Sequence, residues 1–152
     1  MMATYWDDGA GLPQYRLLWR DAGAWRVATA SRFTTRFNLH GPGTLPLPHS
    51  RPEIAIGRTG RVHIIFRSRE FDGRLMLLCL DPPDYPIARA DLHVLVDQDL
   101  GYYEPVLDRS PGTAGQFALY VQRCGQRVDG DRIPEQGEAE AKLMIWHEDQ
   151  FI

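Results

Sequence analysis

Residues 38–51 carry His40, His49 and Arg51, with Gly41-Pro42-Gly43 between the two histidines. A guanidinium fork binds a carboxylate through two parallel hydrogen bonds, and a neutral imidazole beside it can accept a proton from carbon. That chemistry makes His49 and Arg51 the candidate catalytic pair and His40 a candidate substrate contact. The competing reading is that Arg51 pairs with Glu53 or Glu104 as a tie between neighbouring elements, with His40 and His49 as ordinary loop histidines.

Further candidates lie on both sides of this loop. Arg67 and Arg69, followed by Glu70, can hold a ligand or form structural ion pairs. Tyr102-Tyr103-Glu104 offers aromatic rings for stacking on sugars, and such rings are equally good packing material. Gln122 and Arg123, with Gln126 and Asp129 after them, can contact a ligand or form a hydrogen-bonded closure network. The substrate-binding set is therefore His40, Arg67, Tyr103, Glu104, Gln122 and Arg123. His63, within an apolar run, reads as a satisfied core histidine, and His93 as solvent-facing. The acidic pairs Asp7-Asp8 and Asp81/Asp84 fall in turns, where capping explains them better than glycosidase chemistry. No GxSxG, P-loop, HExxH or GxGxxG motif occurs, so no cofactor is expected.

The elements that must position these groups read as strands. Apolar runs are short and bounded by Gly, Pro and Asp, and 11 prolines with 14 glycines punctuate the chain too often for long helices. Only residues 135–142 suit a helix. Strands are expected over residues 4–6, 15–20 and 25–30, with residues 21–24 as the turn between the last two. Four more are expected over 53–58, 61–69, 74–81 and 91–97, and a final three over 103–107, 116–123 and 141–147. The runs at 61–69 and 74–81 are apolar on both faces, which predicts strands covered from both sides. The alternation Leu92, Val94, Val96 suits a half-solvated outer strand.

A plan of strand, Gly-centred turn and strand at residues 50–67 recurs from Tyr103-Glu104-Pro105-Val106-Leu107-Asp108 through Arg123, about fifty residues later, and an all-strand repeat of that length predicts propeller blades. The expected fold class is all-β, a partial β-propeller of about two to three blades built from four-stranded antiparallel sheets. Residues 1–37 form an incomplete blade that lacks its innermost strand. Residues 38–100 form an approach loop and a complete blade, and residues 101–152 a last blade lacking its outer strand.

Composition sets limits on function. The chain has 152 residues, 43% of them hydrophobic, with 17 basic against 20 acidic side chains and a formal charge of -3. That balance gives no basic surplus for nucleic acid. No apolar run reaches the ~18 residues of a membrane span. Cys79 and Cys124 belong to no CxxC or Cys/His cluster, so no metal site is expected and buried free thiols are the plain reading, pairing across blades the alternative. The N-terminal residues lack a charged stretch followed by an apolar one, so no signal peptide is visible, and a secreted or periplasmic parent protein is compatible with that.

The ordered set of motifs resembles one family. Pro13-Gln14-Tyr15-Arg16-Leu17-Leu18-Trp19, Trp25-Arg26-Val27, Gly41-Pro42-Gly43-Thr44, Ser50-Arg51-Pro52-Glu53 and Gly60-Arg61-Val62-His63 are similar to stretches of bacterial BNR repeat-containing proteins. So are Tyr103-Glu104-Pro105-Val106-Leu107-Asp108, Leu119-Tyr120-Val121-Gln122-Arg123-Cys124-Gly125-Gln126 and Asp129-Gly130. The resemblance implies a seven-bladed β-propeller of which this chain is the C-terminal portion, its remaining blades supplied by a parent chain. It also implies a carbohydrate ligand. Members of the family include ulvan lyases, which cleave uronate polysaccharides by β-elimination with a His or Tyr acid and base and an Arg on the uronate carboxylate. Their principal histidines lie in earlier blades, so residues 1–152 alone are expected to be inactive. The expected partner is an acidic polysaccharide or other glycan. The alternatives are a non-catalytic glycan-binding propeller and a structural or interaction propeller.

Overall fold

The computed structural model describes residues 1–7, 9–37, 47–109, 115–124 and 141–151. The described chain is all-β, a partial propeller of three antiparallel sheets with no closed barrel. The first sheet contains β1 (Met2–Asp7), β2 (Pro13–Asp21) and β3 (Ala24–Thr29) in that order. The middle sheet has four strands, β4 (Glu53–Ile56), β5 (Val62–Ser68), β6 (Arg74–Leu80) and β7 (Asp91–Val96). The third is ordered β10-β9-β8, from β8 (Val106–Leu107), β9 (Gln116–Val121) and β10 (Lys142–His147). Among the described residues only the middle sheet has four strands. The helix-compatible stretch 135–142 lies outside the described residues except for its last two, and Lys142 starts β10.

Local chemistry accounts for the turns. Ala22 and Gly23 both have positive φ, 46° and 86°, the signature of a two-residue turn whose twist matches the strands it joins. Between β4 and β5 the chain reverses through Thr59-Gly60, closed by Gly57 N–H to Arg61 O at 2.8 Å and Gly60 N–H to Gly57 O at 3.0 Å.

The core forms two layers, one on each face of the middle sheet. Val62, Ile64 and Phe66 of β5, with Met76, Leu78 and Leu80 of β6, pack against Tyr15, Leu17 and Phe33 of the first sheet side. Ile65, Leu75, Leu77 and Cys79 on the opposite face pack against Leu100, Tyr103, Leu119 and Val121. Every residue of β5 is buried, its polar members His63, Arg67 and Ser68 included. At about 1.5–3 kcal/mol per fully buried large apolar side chain, these layers dominate the cohesion of the stack.

Strand direction tells which blade positions the short sheets occupy. Tyr15, near the start of β2, touches Phe66 near the end of β5, and Trp19, farther along β2, touches Tyr85 just beyond β6. β2 therefore runs with β4 and β6, and β1 and β3 run with β5 and β7. The first sheet thus matches the second to fourth strands of the middle sheet. The third sheet begins beside the end of β5 and matches the first to third. Its entry is held by Tyr102 N–H to Cys124 O at 2.8 Å and Cys124 N–H to Leu100 O at 3.1 Å.

Gly101 sits within that junction at φ +63°, where an added Cβ would collide with the Cys124 carbonyl. Only glycine fits both demands. Gly101→Ala is expected to destabilise the protein by about 2 kcal/mol through strain and the displaced bridge, read as a lower urea midpoint. An unchanged midpoint would mean the junction shifts freely and does not anchor the third sheet.

Candidate functional site

The segment before β4 lies along the end of β5. Ser50 N–H donates to Arg67 O at 2.9 Å, Arg69 N–H to Pro48 O at 2.9 Å, and Arg67 N–H to Ser50 Oγ at 2.9 Å. This pairing draws His49 inside. Its side chain has no exposed surface, its ring stacks on Phe33 at 3.6 Å between centroids, and Nδ1 meets Ser68 Oγ at 2.8 Å. Burial lowers the His49 pKa to about 4, with Arg67 adding to the shift and Glu70 opposing it. Nε2 lies 3.8 Å from Glu70 Oε1, beyond hydrogen-bond range. Glu70 instead accepts from Thr34 N–H at 2.7 Å and Thr35 N–H at 2.6 Å. Burial pushes the Glu70 carboxyl up, and the hydrogen bonds from Thr35 and Thr34 outweigh it, leaving the group below its ordinary pKa.

Arg51 points the other way. Its side chain is 79% exposed, and its backbone N–H and Nε reach Glu104 Oε2 at 2.8 and 3.5 Å. The structure therefore pairs Arg51 with Glu104 across the β4 and β8 approaches and leaves His49 on the inside. Arg67 is also buried. Its guanidinium donates to three carbonyls, Tyr103 O at 3.1 Å, Leu47 O at 3.2 Å and Pro48 O at 3.4 Å. Tyr103 is buried and donates through its hydroxyl to Tyr120 O. These donors are committed to the protein's own backbone.

The candidates that keep some exposure converge on the end of the third sheet. Tyr102, Tyr103, Glu104, Val106, Tyr120 and Gln122 are among the residues that line an open groove of about 420 Å³. Gln122 is exposed, with its amide donating to Cys124 Sγ at 3.2 Å. Arg123 beside it is exposed. Tyr102 also walls a second depression of about 540 Å³ with Arg69, Asp72 and Asp99. The Arg69 guanidinium lies 4.9 Å from the Tyr102 ring centre and donates to its hydroxyl. His40, Gln126 and Asp129 lie outside the described residues.

Two other histidines resolve differently. His63 is buried, with Nδ1 3.4 Å from Cys79 Sγ, and its pKa is lowered to about 4 by burial first and by Arg61 next. His93 does not simply face solvent: it is half-buried, and its ring packs 5.2 Å from Phe151. The C-terminal turn at residues 148–151 covers that face of β7, which the alternation of β7 alone does not reveal. Both thiols are free, and Cys79 is pushed up to about 11 by burial, which makes it unreactive. Among the described residues no group of three or more His, Cys, Asp or Glu could hold a metal, and no helix is long and apolar enough to cross a membrane.

Tyr120 is the groove residue that sequence reasoning missed. The inward set Phe117, Leu119 and Val121 on β9 places Tyr120 on the opposite face, so strand alternation already contained the signal. No protein-family model matches the chain, and no curated protein matches it significantly.

Proposed function

We propose that this partial propeller is a non-catalytic glycan-binding module, with an oligosaccharide seated in the groove between Tyr102, Tyr120, Glu104 and Gln122. The groove carries the reading, because the exposed Tyr120 ring and the half-buried Tyr102 ring beside a carboxylate and an amide suit a ligand with apolar C–H faces and hydroxyl edges. The resemblance to BNR repeat-containing proteins points to the same ligand class. β-Elimination needs a base and an arginine facing one substrate, whereas His49 is enclosed and Arg51 is turned to Glu104. The lyase reading is therefore the weaker of the two.

The test is calorimetric titration of residues 1–152 with a panel of neutral and uronate oligosaccharides. Binding is expected for at least one class, and Tyr102→Ala combined with Gln122→Ala is expected to weaken it at least about tenfold, equivalent to ~1.4 kcal/mol. The thermal midpoint of that variant checks that the fold is intact. No binding across the panel, or binding indifferent to both substitutions, would remove this reading. Release of unsaturated uronate during the titration would restore the lyase.

A further inference from the structure

Tyr102 belongs to two neighbouring depressions. It lines the groove of about 420 Å³ with Glu104, Tyr120 and Gln122, and the depression of about 540 Å³ with Arg69, Asp72 and Asp99. Each volume by itself falls within the ~300–1,000 Å³ of small-ligand sites. The ring they share is held in place. It is half-buried, with the Arg69 and Arg67 guanidinium carbons 4.9 and 6.0 Å from its centre, and Tyr102 N–H donates to Cys124 O at 2.8 Å. The wall of the second depression is also built. Asp99 Oδ1 accepts from Gly101 N–H at 2.8 Å and lies against Gly73, where an added Cβ would collide with it. Leu100 N–H closes the same corner on Gly73 O at 3.0 Å.

The charges that line this pair of depressions nearly cancel. They are Arg69, Asp72, Asp99 and Glu104. Arg74 pairs with Asp72 at 3.1 Å and Arg51 with Glu104 at 3.5 Å. Among the described residues, that leaves one guanidinium and one carboxylate of the lining, Arg69 and Asp99, without an ion pair. Arg123, next to Gln122, is not in the lining. A hydroxyl both donates and accepts, so a neutral sugar can give O–H to Asp99 and take N–H from Arg69. A uronate chain would bring its carboxylates to Asp99 and Glu104 with no cationic surplus to hold them.

We propose that the ligand is a neutral oligosaccharide that crosses Tyr102, with one end in the Tyr120 groove and the other against Arg69 and Asp99. This rests on the glycan-binding reading and narrows it by charge and by length. A chain that crosses the shared ring makes contacts in both depressions, whereas a short one fills the Tyr120 groove alone.

The test is calorimetric titration of residues 1–152 with gluco-, manno- and galacto-oligosaccharides of increasing length, each beside its C6-oxidised uronate form. Affinity for at least one neutral series is expected to rise with length to a plateau, and to exceed that of its uronate form at least about tenfold. Added salt should leave the neutral affinity unchanged. Arg69→Gln combined with Asp99→Asn is expected to weaken the long chain about tenfold and to spare the shortest chain that binds. Asn at position 99 keeps an acceptor for Gly101 N–H, and the thermal midpoint checks the fold. Equal or tighter binding of the uronate form, or affinity independent of length, would overturn the inference while glycan binding itself stood. A long chain indifferent to the double variant would do the same. So would equal weakening of short and long chains, which would mean that Arg69 acts only by holding Tyr102. No binding of any oligosaccharide would remove the glycan-binding reading and this inference with it.

Discussion

Acidification from pH 7 to pH 4 is expected to remove about 3 kcal/mol of stability for each of two buried histidines, His49 and His63. Both are at most 1% exposed, and burial lowers each pKa from 6.5 to about 4. A depressed pKa means that the unfolded chain takes up the proton first as pH falls. The stability is therefore fully present above pH 6.5 and is progressively lost through the window between 6.5 and 4. Lowering a histidine pKa from 6.5 to about 4 corresponds to ~3 kcal/mol per site. The surroundings are mixed in charge: Glu70 opposes Arg67 around His49, and Glu148 and Asp81 oppose Arg61 and His93 around His63. Burial outweighs these neighbours at both sites.

The lowered carboxyls of Glu70 and Glu148 act in a different window. Their contribution is present above the ordinary carboxylate pKa and lost only as pH falls through their lower folded values. Loss between pH 6.5 and 5 therefore reports the histidines. Urea midpoints at a series of pH values measure it, and His49→Gln with His63→Gln should flatten the slope whatever that variant's absolute stability. Equal midpoints at pH 7 and pH 5 for the unsubstituted protein would mean that both rings reach water.

Replacing Arg67 is the second large effect. Arg67→Met keeps much of the volume and removes every side-chain donor, taking the guanidinium from the carbonyls of Leu47 and Tyr103 and leaving Pro48 O with Arg69 N–H alone. Each buried acceptor left unsatisfied costs about 1–3 kcal/mol, and backbone adjustment at residues 47–48 recovers part of this, so the net loss is expected near ~3 kcal/mol. Arg67→Lys should be nearly as harmful, because an ammonium cannot reproduce a planar fork aimed at three carbonyls. Arg51→Ala provides the contrast. With 79% of its side chain exposed, its pair with Glu104 is expected to contribute below ~1 kcal/mol. Urea unfolding of the three variants separates the roles. A fully stable Arg67→Met protein that had lost glycan binding would make Arg67 a ligand contact after all.

Strand periodicity was legible from the residues themselves. Apolar content on both faces of β5 and β6 required cover on both sides, and Ala22-Gly23 and Thr59-Gly60 marked turns, because these are consequences of local geometry. The all-β class and the grouping of three, four and three strands followed. The roles of polar residues did not, because they depend on partners distant in the chain. Arg51 and Glu104 lie 53 positions apart, and Arg67 and Tyr103 lie 36 apart. His49 and Arg51, two residues apart, looked like one catalytic pair. Pairing of the 47–50 segment with the end of β5 placed one inside and the other in solvent. Tyr102 and Tyr103 are adjacent, yet only Tyr103 is buried in the second core layer. The sequence by itself determined which segments become strands and which faces seek cover. Only tertiary structure decided which polar groups satisfy buried backbone and which remain free for a ligand, since that depends on where separate sheets meet.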